Sequence, residues 1–195
     1  MSYKIYKFLD IAILTALAVI AEVAGIGAVK TFFEPGSPIS FILSLALPVV
    51  MIIIIRWNYY GLIAALAIGI TNHIVLGSSD LSHLVIYSIG NLGVAVVFLW
   101  LHYRSKEAIR SDWILTTLYY LTGYIGVIVC RSLIAMLFGN HLLNTMLNMF
   151  LQGEFLSIII GFVVMMIARR QPNFMVDMKT YLLKFHTKDV NQDGL

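Results

Sequence analysis

Long apolar stretches separated by short polar segments dominate the pattern of the chain. Six stretches each approach the roughly 20 residues that a helix needs to cross the hydrocarbon of a bilayer. Turn-forming residues such as Pro35 and Gly36 lie in the segments between them. The stretches cover residues 8–29, 38–55, 59–77, 81–102, 113–138 and 142–168. The pattern therefore predicts an all-α membrane protein with six transmembrane helices.

The composition excludes a soluble domain. The 195 residues are 60% hydrophobic and 12% charged, with a mean hydropathy of +0.90, and a soluble domain of this size could not bury so much apolar surface. Lys4 and Lys7 precede the first stretch, as in a signal peptide, but the stretch is long enough to span a membrane and lacks a clear cleavage context. We therefore expect it to remain as the first membrane helix. The single cysteine, Cys130, cannot form an internal disulfide.

The distribution of positive charge predicts the orientation. Cytoplasmic loops of membrane proteins carry an excess of Lys and Arg. With both termini cytoplasmic, all but two of the 13 basic residues lie inside; Lys30 falls in an outer loop and Arg131 within a span. This placement beside the membrane, rather than on a soluble surface, argues against a nucleic-acid partner. We expect a membrane domain over residues 1–172 and a cytoplasmic tail over 173–195, with a short interfacial helix at 174–186.

Strongly polar side chains within the predicted spans concentrate in their outer halves. A charge at the bilayer centre costs roughly 2.5–3.5 kcal/mol on insertion scales, so such groups indicate a polar cavity. Residues four apart on a helix share one face, and this spacing occurs on the fourth and sixth spans. The candidate substrate-binding residues are Glu22, His83, Tyr87, Asn91, Arg131, Asn144, Asn148, Gln152 and Glu154.

Each of these residues also has a purely structural interpretation. Amide side chains between membrane helices contribute about 0.6 kcal/mol on average through hydrogen bonds. Glu22 and Arg131 could form an ion pair, and His73 and His83 lie close enough to the surface to be solvated. The shared depth of the polar groups is the feature that helix packing alone does not require.

Motifs of membrane enzymes are absent from the sequence. There is no G-x-S-x-G and no H-E-x-x-H, and the predicted spans contain no pair of acidic residues at helical spacing. We therefore predict no catalytic residue, no metal site and no bound cofactor.

The first span carries a strip of small residues in its cytoplasmic half. Ala12 and Ala16 lie one turn apart, and small residues at this spacing let another membrane helix approach closely. In the loop that follows, Phe32 and Phe33 precede Pro35 and Gly36, which is compatible with an aromatic lid over a ligand or with anchors at the membrane interface.

This first span resembles that of the S component, the substrate-binding membrane subunit of energy-coupling-factor vitamin transporters. AILTALA at 12–18 fits the family's A-x-x-x-A motif, and it is followed by a Pro/Gly loop, a proline-containing second helix and a Gly/Ala-rich third helix. The resemblance implies that Ala12 and Ala16 contact a transmembrane coupling subunit, and that the first outer loop covers a pocket. It also implies that two partner ATPases energise uptake of a vitamin across a bacterial cell membrane, since the chain has no G-x-x-x-x-G-K-[ST] motif.

The residues leave the substrate open. Arg131 keeps its charge when buried and therefore needs an anion, which Glu22, Glu154 or a carboxylate-bearing ligand such as pantothenate could supply. The sequence is also compatible with a membrane enzyme acting at the outer face, or with a structural or assembly protein.

Overall fold

The described part of the chain is entirely helical, apart from its turns and connections. A computed structural model describes residues 3–32 and 43–183, and no strand occurs in these ranges. Together with the long apolar helices, this confirms an all-α membrane protein. The helices are α1 (Tyr3–Phe32), α2 (Ala46–Trp57), α3 (Gly61–Leu76), α4 (Leu81–Gly90), α5 (Phe98–Tyr103), α6 (Lys106–Ser111), α7 (Trp113–Met136), α8 (Leu142–Asn148) and α9 (Phe155–Arg170).

Four helical runs within the described ranges are long and apolar enough to cross a membrane. They are Tyr3–Thr31, Ala46–Leu76, Leu81–Tyr103 and Trp113–Met136. A fifth is formed if Leu142–Leu151 and Phe155–Arg170 count as one span bent by 57°. The sixth predicted stretch is therefore not one straight helix. Its bend coincides with a π-helical segment, Met149–Glu154, which interrupts the regular ladder of backbone hydrogen bonds.

The run Ala46–Leu76 folds back on itself between α2 and α3. Asn58 adopts a positive φ of 56° at the break, and the 3-10 turn Asn58–Tyr60 leads into α3. A Cβ atom on Gly61 would lie 3.0 Å from the amide nitrogen of Ile54 and 3.1 Å from the carbonyl oxygen of Val50. The start of α3 thus packs directly on α2, and the two helices form a hairpin. The first five residues of the predicted second span, 38–42, lie outside the described ranges.

Helix α2 is the centre of the bundle. All 12 of its residues are buried, as expected for a helix that is apolar on every side. It contacts α1, α3, α7 and α9. From α7, Tyr119 donates a hydrogen bond of 2.9 Å to the carbonyl oxygen of Met51, so the carbonyl and its phenol partner are satisfied inside the core.

At one end of the bundle, several arginine side chains are held by hydrogen bonds. Arg56 makes a bidentate pair with Asp10 at 2.8 and 2.9 Å, and donates to the carbonyl oxygen of Asn173 at 2.7 Å. Arg169 donates a hydrogen bond of 2.9 Å to the carbonyl oxygen of Ser111, and Arg110 donates one of 2.9 Å to the carbonyl oxygen of Pro172. We call this the basic end. At the opposite, far end, Lys30 donates to the carbonyl oxygen of Val75 at 2.7 Å and joins α1 to α3.

The segment after α9 packs against the basic end. Met175 and Met178 are buried, and Asp177 pairs with Lys106 of α6 at 3.0 Å. Residues 178–183 are helical, within the range expected for an interfacial helix, and residues 184–195 lie outside the described part. Helix α6 itself occupies a segment that the sequence pattern treats only as a link.

Candidate functional site

Glu22 is the centre of the first half of a buried polar cluster. It lies on α1 with 0% of its surface exposed. Its Oε2 atom accepts a hydrogen bond of 2.6 Å from the Ser44 hydroxyl, and its Oε1 atom accepts one of 2.9 Å from the Asn72 amide. Because Ser44 precedes α2 and Asn72 belongs to α3, this carboxylate joins three segments of the chain.

Arg131 is the centre of the second half of the cluster. It lies on α7, is 4% exposed and forms a salt bridge with Glu154. Its Nε and Nη2 atoms donate to the Oδ1 atom of Asn91 at 3.0 and 2.6 Å, and Asn91 in turn donates to the carbonyl oxygen of Ala65 at 3.1 Å. Of the anions that the sequence offers to Arg131, the structure places Glu154 on it.

Two irregular helical segments supply the partners of Arg131. Asn91 begins the 3-10 segment Asn91–Val97 between α4 and α5, and Glu154 ends the π segment. Such segments inside longer helices often occur at functional sites. Gly90, the last residue of α4, lets α4 approach α7 closely at Arg131. A Cβ atom at this position would lie 2.8 Å from the Cα atom of Arg131.

A stack of rings leads from the far end to Arg131. The rings of His73 and His83 are 5.6 Å apart, and His83 stacks on Tyr87 at 4.2 Å. Tyr87 then lies under the guanidinium of Arg131, with 4.6 Å between the Cζ atom and the ring centroid, a distance typical of a cation–π contact. The four-residue spacing of His83 and Tyr87 on α4 brings these two rings together.

The other predicted residues fall away from this cluster or outside the description. Asn144 and Asn148 are exposed on α8. The side chains of Gln152 and Phe32 are not described, and Phe33 lies outside the described ranges. Ala12 and Ala16 are exposed and line a largely apolar groove of about 1030 Å³ between α1 and the start of α3, towards the basic end.

Three residues of the cluster were not among the sequence candidates. The sequence does place Asn72 among the polar residues of the outer halves, near the outer end of the third predicted span, although it was not selected as a binding residue. Ser44 and Ser157 gave no comparable signal, since serine is common in membrane helices. The Ser157 hydroxyl accepts a hydrogen bond of 2.8 Å from the Ser44 backbone amide. This bond holds the backbone of Ser44 in place, so that the Ser44 hydroxyl stays beside Glu22.

Some buried polar atoms of this region have no hydrogen-bond partner among the described residues. They include the Oδ1 atom of Asn72, the Oγ atom of Ser88 and the Nδ1 atoms of His73 and His83. Native structures leave few such atoms unsatisfied, so they indicate where a ligand or water could bond. The described residues contain no group of three His, Cys, Asp or Glu side chains that could hold a metal ion.

The cluster combines fixed carboxylates, amides and a guanidinium in an apolar bundle. This arrangement can bind and orient a small polar molecule by hydrogen bonds and charge. Comparisons with protein-family models, curated proteins and solved structures found no match.

Proposed function

We propose that this chain is the substrate-binding membrane subunit of an energy-coupling-factor transporter, and that it captures a small water-soluble vitamin or vitamin precursor from outside a bacterial cell. The observation that carries the proposal is the division of α1. Glu22 enters a buried polar cluster, while Ala12 and Ala16 lie exposed in an apolar groove. At 1.5 Å per residue, about 9 Å along the helix separates Ala16 from Glu22.

The proposed topology has six spans with both termini in the cytoplasm. Four apolar runs, the bent pair of α8 and α9, and the reversal between α2 and α3 are compatible with it. The clustering of Arg56, Arg110 and Arg169 at one end supports placing that end inside.

Substrate binding belongs to the far half of the bundle. Glu22, Asn91, Arg131 and Glu154 meet there in hydrogen bonds, and His83 and Tyr87 add aromatic surface. Phe32 is the last residue of α1 and not, as the sequence pattern had it, part of the loop; together with Phe33, the next residue along the chain, it would close over the bound molecule. A site with few polar groups in apolar surroundings suits a high-affinity binding subunit.

Energy for uptake would come from partners. The groove with Ala12 and Ala16 would receive a helix of a transmembrane coupling subunit, and two ATPase subunits would hydrolyse ATP. The cluster and the coupling groove share α1, so binding and coupling can influence each other through one rigid element.

Partner identification tests this function. The full chain, tagged and expressed in its native membranes, is extracted with a mild detergent and its partners are identified by mass spectrometry. We expect two ATPases and a second membrane protein in fixed proportion to the chain. Recovery of the chain alone, under conditions that keep other membrane complexes intact, would contradict the proposal.

A further inference from the structure

We infer that the polar cluster binds a cationic ligand, whose N–H groups are held by Glu22 and Asn72. The inference rests on the proposed function and specifies the chemistry of the substrate. It differs from the expectation that Arg131 binds a ligand carboxylate, and it follows from how charges and acceptors are paired in the cluster.

The charges of the cluster do not balance. Arg131 is neutralised by Glu154, with which it forms a buried salt bridge. Glu22 is held by the neutral groups of Ser44 and Asn72, and no salt bridge to it occurs among the described residues. With both carboxyl groups ionised, Glu22, Glu154 and Arg131 together carry one net negative charge, which a proton on Glu22 or a cationic ligand can neutralise. A buried charge without a counter-charge is costly in an apolar environment.

Hydrogen-bond acceptors are also in surplus at Glu22. A carboxylate can accept about four hydrogen bonds, whereas Glu22 receives two from side chains and one from the backbone amide of Ala46 within the described ranges. The neighbouring Oδ1 atom of Asn72 has no partner within the described ranges, although Asn72 is only 1% exposed. Glu22 can therefore accept one further hydrogen bond and the Oδ1 atom of Asn72 lacks a donor, so a cationic ligand with N–H groups can satisfy both.

Arg131 offers little to a ligand carboxylate. Its Nε, Nη1 and Nη2 atoms already donate to Asn91 and Glu154, and Tyr87 covers one face of the guanidinium. Three of the five N–H groups of Arg131 are thus taken, and a carboxylate-bearing ligand at the other two would add negative charge beside Glu22 and Glu154. The pairing thus favours a cationic ligand over an anionic one.

Calorimetric titration of the purified full-length protein tests the inference. The probes are vitamins grouped by charge: thiamine and pyridoxamine as cationic probes, riboflavin as a neutral one, and pantothenate, biotin and folate as carboxylates. We expect binding only among the cationic probes. Glu22→Gln should weaken that binding at least tenfold, and Asn72→Ala should weaken it in the same direction. Glu107→Gln, a change at an exposed position on α6, serves as the matched control and should leave affinity unchanged.

Three results would overturn the inference. Binding of only a neutral or carboxylate probe would contradict it, while leaving the proposed function standing. Unchanged affinity of a cationic probe in both Glu22→Gln and Asn72→Ala would mean that a proton neutralises Glu22 and that the acid is structural. Binding of none of the probes would also reject it, and the partner identification described above would then decide separately on the proposed function. Thermal unfolding of each variant verifies that it is folded.

Discussion

At the scale of single residues, breaking the salt bridge between Arg131 and Glu154 should destabilise the protein. Replacing Arg131 with Gln leaves Glu154 buried at 4% exposure without its cation. Breaking a buried pair by removing one partner typically costs 3–5 kcal/mol. We expect Arg131→Gln to lower the Tm in detergent markedly, and the double variant Arg131→Gln/Glu154→Gln to recover part of the loss.

The matched control is Arg104→Gln, because Arg104 is exposed and lies near the basic end. It should leave the Tm almost unchanged. A double variant that is no more stable than Arg131→Gln alone would show that the two residues do not act as a pair.

A second residue-scale prediction concerns the start of α4. Asp80 accepts hydrogen bonds from the Ser82 hydroxyl at 2.6 Å and from its backbone amide at 2.9 Å, and these bonds lower the pKa of the Asp80 carboxyl below its usual range. A depressed pKa in the folded state means that the charged form adds stability above the unfolded pKa, about 3.9. That stability is lost as the pH falls through the folded pKa.

Thermal unfolding from pH 7 to pH 3 measures this effect against Asp80→Asn, which keeps an uncharged cap. The wild type should be the more stable of the two at pH 7, and the difference should shrink below about pH 4. A difference that stays constant across the range would show that charge at Asp80 is irrelevant to folding.

Residue identities could be predicted from the sequence better than their pairing. Glu22 and Arg131 stand out in the sequence because a charged side chain inside a membrane is energetically costly. Which acid pairs with Arg131, however, depends on how α7 and the π segment pack. Asp10 and Arg56 show the same limit: both are visible as charges at span ends, yet only the structure shows them as a partly buried bidentate pair. Pairing is a long-range property that local pattern does not contain.

At the scale of elements, the crossing of α7 with the 3-10 segment depends on glycine. A Cβ atom on Gly93 would lie 2.7 Å from the carbonyl carbon of Gly126, which is closer than backbone and side chain can approach. We expect Gly93→Ala to destabilise the protein by about 1–3 kcal/mol, because the helices must move apart.

Gly27→Ala on α1 is the matched control. Nothing lies within 4 Å of a Cβ atom there, so the change should be neutral or stabilise the helix by roughly 0.5–1 kcal/mol. Thermal unfolding of the two variants compares them directly. Equal Tm values would contradict a tight crossing at Gly93.

The end of α1 and the residue after it carry a prediction that stands on the sequence alone. If Phe32 and Phe33 close over the ligand, replacing both with Ala should speed ligand release more than it slows entry, because the closed state is lost. Stopped-flow measurement of both rates on the purified protein checks this. An unchanged release rate would favour the interpretation that these side chains are interfacial anchors.

Helix positions follow closely from hydropathy where a stretch is uniform. The predicted stretches 59–77 and 113–138 match Gly61–Leu76 and Trp113–Met136 within two residues at each end. The irregular 3-10 and π segments were not predicted; they lie where Gly93 packs closely on Gly126 and where Glu154 pairs with Arg131. Hydropathy does not register such features, since it averages over many residues.

At the scale of the whole molecule, α1 connects the two proposed activities. Its buried face carries Glu22 into the cluster, and its exposed face carries Ala12 and Ala16 into the groove. Uptake should therefore be separable from binding by a change confined to the groove. Trp side chains at both Ala positions would fill the groove and hold a partner helix away, while the cluster stays intact.

The measurement that tests this most directly compares binding and uptake of the radiolabelled vitamin in cells that express the chain with its partner subunits. We expect Ala12→Trp/Ala16→Trp to bind the vitamin as the wild type does but to take up none. Ala24→Trp, on an exposed part of α1 outside the groove, should do both. Normal uptake by the double variant, with the complex recovered intact, would contradict the account.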